Sequence, residues 1–121
     1  MEYPELVKKV QYYSGCTLNE SEDALQVTVE SLSVHLTEQE RRHFASQLPA
    51  YLQDIALSVL ATDTNSKEDV LQQFMYLQHV DERRAKRQLL ASWRAIKEAI
   101  SSGEIKHIKA QLPKSANHLL I

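Results

Sequence analysis

Apolar residues recur along this chain at spacings of three and four. Leu6, Val7, Val10 and Tyr13 fall on one side of a helical wheel. Leu25, Val29, Leu32 and Leu36 form a second stripe, and Phe44 and Leu48 a shorter one. Leu52, Ile55, Ala56 and Val59 form a fourth. Val70, Leu71, Phe74 and Leu77 resume the pattern, followed by Ala85, Leu89, Trp93, Ile96 and Ile100, then Ile105, Ile108 and Leu112. This period predicts amphipathic helices, and no segment alternates as a strand requires. The punctuation agrees. Pro4 suits the first turn of a helix reaching about Ser14, which Gly15 ends. Thr17 with Glu20, Thr37 with Glu40 and Ser101 with Glu104 have the spacing of capping boxes. The stretch Ser66 to Asp69 caps the first helix of the second half, and Asp81 caps the long helix after it. Pro49 and Pro113 each open a further short helix.

The pattern occurs twice. His43-Phe-Ala-Ser-Gln-Leu-Pro49 and His107-Ile-Lys-Ala-Gln-Leu-Pro113 lie 64 positions apart. The same shift pairs Tyr12 with Tyr76, Leu25 with Leu89, Leu32 with Ile96 and Glu40 with Glu104. Each copy of a repeat must bury its apolar face on something. The prediction is an all-α fold: two tandem three- to four-helix repeats, 1–60 and 65–121, packed into one compact domain over 1–121. Ala61 to Asn65 is the linker.

Two blocks, Leu36 to Pro49 and Ile100 to Pro113, resemble the doubled signature of the bacterial domain-of-unknown-function family 2267. The Tyr13-Ser14-Gly15 element and the long helix after it resemble that family too. The likeness covers nearly the whole chain, and its most specific part is the Gln-Leu-Pro that closes each copy. It departs over Lys114 to Ile121, where a more charged and aromatic helix is typical. The resemblance implies a small helical protein with two related halves, and no established catalytic residue.

Composition narrows the function. Hydrophobic residues make up 43% and charged residues 25%, so the chain has the material for a core. The net charge of −2 points to no particular partner. It is unevenly spread: residues 1–60 hold four Lys/Arg against nine Asp/Glu, and residues 61–121 hold ten against seven. A lone Cys16, matched to Val80 in the other copy, fits a small core residue in a reducing compartment. No membrane-spanning apolar run and no signal-peptide pattern appears, so a cytoplasmic, soluble protein is expected. There is no Gly-x-Ser-x-Gly elbow and no Gly-rich phosphate loop. The expectation is a non-catalytic module without cofactor that presents a helical surface to a protein partner, possibly a second copy of itself.

Two side-chain sets carry candidate chemistry. Glu40-x-x-His43 and Glu104-x-x-His107 put a carboxylate and an imidazole on one helix face, as half of a dinuclear carboxylate metal site does. The preferred reading is structural. Glu40 and Glu104 occupy the capping-box position, and Glu30, a further donor, is replaced by Arg94 in the second copy. Gln47 and Gln111 are expected to hydrogen-bond the carbonyls freed where Pro49 and Pro113 interrupt the helical ladder. The second set is a basic row, Arg83, Lys86, Arg87, Arg94 and Lys97, spanning roughly 21 Å of one helix at 1.5 Å per residue. Such a row could meet phosphates. No aromatics interleave with it, so a solvated face with partners such as Glu98 to Arg94 is preferred and nucleic acid disfavoured.

Overall fold

The computed structural model describes residues 1–59 and 69–120. Among these residues it forms eight α-helices and no strand: α1 Tyr3–Ser14, α2 Leu18–Ser33, α3 Glu38–Ser46, α4 Ala50–Ser58, α5 Val70–Gln78, α6 Glu82–Ala99, α7 Ser102–Gln111 and α8 Lys114–Leu119. None of them is long and apolar enough to cross a membrane.

Local signals set the boundaries. Gly15 ends α1 with φ 73°, and its N–H reaches the Gln11 carbonyl. The equivalent position in the second half is His79, which ends α5 with φ 54°. A left-handed residue is therefore kept at both turns, although only one is glycine. Thr17 and Glu20 make a complete capping box at α2. Asp69 caps α5 through the Leu71 N–H, and Asp81 caps α6 through the Arg84 N–H. The cap of α5 is thus Asp69, the last residue of the expected capping stretch; Ser66 and the Ala61 to Asn65 linker lie outside the described residues.

The helices repeat with the sequence. α2 and α6 start at Leu18 and Glu82, α3 and α7 at Glu38 and Ser102, and α4 and α8 at Ala50 and Lys114. Each pair is separated by the repeat length. Packing is crossed between the halves. α1 lies against α6 as well as α2, and α5 lies against α2 as well as α6. α2 meets α6, and α3 meets α7. Exchanging the two halves maps these contacts onto one another. The two halves thus pack reciprocally through these helices, except that α4 lies against α2 and α3 while α8 lies against α5.

The core lies where the helices of the two halves meet. Leu25, Leu32, Leu89 and Ile96 are fully buried, as the helical spacing predicts, with Phe44, Phe74, Trp93 and Ile108 around them. The burial of α4 is narrower than its apolar pattern suggests. Leu52 and Ala56 are buried, while Ile55 and Val59 are half-buried. Tyr12 and Tyr76 do not belong to the core despite their match: they are 84% and 76% exposed. Cys16 is half-buried rather than a core residue, because it sits in the α1–α2 turn instead of on a packed helix face. Its Sγ faces Gln88 Nε2 at 3.8 Å.

Candidate metal centre at the repeat junction

The junction of α3 and α7 is built from two helix starts. Thr37 Oγ1 accepts the Glu40 N–H at 3.2 Å, and Ser101 Oγ accepts the Glu104 N–H at 3.1 Å. The second limb of a capping box, in which the Glu carboxylate takes the cap residue's own N–H, is made at neither helix. Each N–H goes to the opposite repeat instead. Thr37 N–H donates to Gln111 Oε1 at 2.9 Å, and Ser101 N–H donates to Gln47 Oε1 at 2.7 Å. The capping boxes expected at Glu40 and Glu104 are thus half-formed, and both carboxylates are released from capping.

The expected role of Gln47 and Gln111 is corrected by the same bonds. They do not serve the carbonyls beside their own prolines. That task falls to another matched pair: Gln53 Nε2 donates to the Leu48 carbonyl at 2.9 Å, and Asn117 Nδ2 donates to the carbonyls of Lys109 at 2.7 Å and Leu112 at 3.5 Å.

Freed from capping, the two carboxylates turn into the junction. Glu40 is 7% exposed and Glu104 4% exposed. Each keeps a buried oxygen, Oε1, with no hydrogen-bond donor. One oxygen of each carboxylate and a ring nitrogen of His43 lie within 4.8 Å of one another. His43 Nδ1 is 4.0 Å from Glu40 Oε2. Among the described residues no Lys or Arg pairs with either carboxylate. Two carboxylates have no proton to donate to each other unless one is protonated. Burial, a hydrogen bond to Glu40 and the Glu40 charge accordingly push the Glu104 carboxyl up to about 8. A buried like-charged pair of this kind needs a proton or a cation between its members.

Glu40 and His43 of this cluster line a cleft of about 320 Å³, and Glu104 lies behind them outside its lining. Thr37, Gln39, Glu40 and His43 line one wall, and His107 and Gln111 the other. Both imidazoles are thus on the same opening. Glu30 is not part of it; it lies beside Asp54 and Ser58.

The basic row is placed elsewhere, on α6. Lys86 pairs with Glu82 at 3.5 Å. The Arg94 guanidinium covers the Tyr13 ring at 4.1 Å, and Lys97 approaches the Trp93 ring at 5.8 Å. Glu98 serves α1 rather than the expected Arg94, accepting from the Tyr13 hydroxyl at 2.7 Å and pairing with Lys9 at 3.2 Å. Arg83 and Arg87 face the α1–α2 turn, where the neighbouring Arg84 pairs with Glu20. Lys86, Arg94 and Lys97 thus have intramolecular partners, while Arg83 and Arg87 are exposed beside the α1–α2 turn.

Fold and site together define a class: an all-helical protein of two interlocked halves with a buried carboxylate pair and flanking histidines where the halves meet. The chain belongs to the family described as "Uncharacterized conserved protein (DUF2267)", whose profile matches residues 3–119. No curated protein matches it.

Proposed function

We propose that this protein is a non-catalytic binding module that holds one divalent metal ion between its two repeats, with Glu40, Glu104 and His43 as ligands. The observation that carries this reading is the pair of buried carboxylates without donors, gathered within 4.8 Å of an imidazole nitrogen. Ligands about 2.1 Å from a shared ion lie roughly 3–4 Å apart, so a small inward shift completes the contact. The ion replaces the proton that the empty pair must hold, and it neutralises both charges. Because the ligands come from α3 and α7, binding ties one repeat to the other. A ligand that binds only the folded state adds about 2.7 kcal/mol at a hundred times its Kd.

The test is native mass spectrometry of the full chain purified without chelator and then titrated with Zn²⁺. One bound ion per chain is expected, and its loss in Glu104→Gln. Wild-type protein that stays metal-free at micromolar Zn²⁺ contradicts the reading.

A second reading, a surface for a protein partner in the cytoplasm, is favoured by the two exposed tyrosines. Tyr12 and Tyr76 occupy matched positions and lie outside the core. Exposed aromatic side chains are over-represented at protein interfaces. Alanine at both positions should abolish capture of such a partner without changing the melting temperature.

A further inference from the structure

Which cation the Glu40–Glu104 cluster accepts depends on what completes its ligand set. The 64-residue repeat that matches α3 with α7 also exchanges the cross-repeat caps, Gln111 on Thr37 and Gln47 on Ser101. It therefore exchanges His43 with His107. His107 stands three residues beyond Glu104, as His43 stands beyond Glu40, and it lines the same cleft. Its nitrogens lie outside the group formed by Glu40, His43 and Glu104. Its side chain is exposed at that cleft, so packing does not hold its ring in place.

Other oxygen donors are scarce. The side-chain oxygens of Gln47 and Gln111 are already committed to backbone N–H groups, and Gln39 on the cleft wall adds at most one more. Two carboxylates supply at most four oxygens. Ca²⁺ takes six to eight, and Mg²⁺ requires near-octahedral oxygen ligation and keeps several waters. Imidazole nitrogen suits zinc, iron, copper and nickel.

We propose that the junction is a two-histidine, two-carboxylate site, with His107 as the fourth ligand, that takes a first-row transition-metal ion of the zinc class and rejects Ca²⁺ and Mg²⁺. This rests on Glu40 and Glu104 being metal ligands. The open cleft leaves one face of the ion toward solvent.

The test is a set of equilibrium titrations of the full chain with Zn²⁺, Co²⁺, Ca²⁺ and Mg²⁺, with visible absorption reporting Co²⁺ coordination. His43→Ala, His107→Ala and Glu104→Gln are measured in parallel. Both histidines are exposed, so their alanine variants should keep the wild-type circular dichroism. The expected result is Zn²⁺ affinity at least 100-fold above that for Ca²⁺ or Mg²⁺. Each histidine variant should weaken Zn²⁺ at least about tenfold, the loss seen even for outer partners of a metal ligand. The intense Co²⁺ bands of four- or five-coordination should appear in the wild type and shift in each histidine variant, where water takes the place of a nitrogen. If His107→Ala binds Zn²⁺ as the wild type does while Glu104→Gln does not, the fourth ligand is overturned and the carboxylate site stands. Equal affinity for Ca²⁺ and Zn²⁺ overturns the proposed selectivity. Zn²⁺ binding that Glu104→Gln leaves unchanged overturns the site itself.

Discussion

Gln47, near the end of α3, accepts the backbone N–H of Ser101 at the start of α7 at 2.7 Å. Gln111 makes the mirrored bond to Thr37 at 2.9 Å. These two bonds join the repeats, and they release Glu40 and Glu104 from their local capping duty. The carboxylate pair at the junction follows from them.

Each glutamine is therefore a cross-repeat cap. Removing either leaves a helix-start N–H without its acceptor. Gln47→Ala and Gln111→Ala should each cost about 0.5–1.5 kcal/mol, the usual net worth of one hydrogen bond. The measurement is urea unfolding of each variant. Glutamate at either position should destabilise more than alanine, because it adds a third carboxylate beside Glu40 and Glu104. A change near zero in the alanine variants would place the two caps outside the energetics of the junction.

Stability without metal should depend on pH through Glu104. Its carboxyl is raised to about 8 in the fold by burial and by Glu40, against about 4.3 in the unfolded chain. A raised folded value means that the folded state holds the proton more tightly. Its contribution is fully present below about 4.3 and is lost as pH rises through about 8. Chelator-treated protein should therefore lose up to a few kcal/mol between pH 5 and 8, at about 1.4 kcal/mol per unit. Burial lowers the His35 pKa, and that group loses stability in the opposite direction as pH falls. The informative quantity is thus the difference between wild type and Glu104→Gln, which keeps the neutral shape. Thermal melts across this range should show the wild-type slope flattened in the variant.

The repeats should not be separable. Leu25 and Leu32 on α2 are dry while α6 lies against that helix, and Leu89 and Ile96 are dry while α2 lies against theirs. About 60 residues also bury too little surface to be secure alone. Residues 1–60 expressed alone should be poorly folded or self-associated. Mixing with residues 65–121 should restore a cooperative melt by circular dichroism. A well-dispersed NMR spectrum from monomeric 1–60 would show two independent domains instead.

The repeat, the helices and most core positions are legible in the sequence, because each depends on period and local caps. Leu25 and Leu89 need no partner to be identified as core. The junction is less legible for a physical reason. Glu40 has the same sequence position whether its carboxylate folds back on Thr37 or crosses to Glu104, and the choice is made by Gln111, far away in the chain. A local reading of Gln47 beside Pro49 likewise misses a bond to Ser101. Gln53 and Asn117, which do serve the proline carbonyls, were signalled by the repeat itself, since they are one repeat length apart. Tyr12 and Tyr76 are matched across the repeat yet exposed, so a match alone carries no information about burial.

The proposed function requires a metal ion between Glu40 and Glu104. It is tested most directly by anomalous diffraction from crystals of the wild-type chain grown with Zn²⁺, recorded on either side of the zinc edge. One strong anomalous peak is expected at the α3–α7 junction, about 2.0–2.2 Å from an oxygen of Glu40, an oxygen of Glu104 and a ring nitrogen of His43. A junction without anomalous density, with the two carboxyl groups sharing a proton in the presence of zinc, would contradict it.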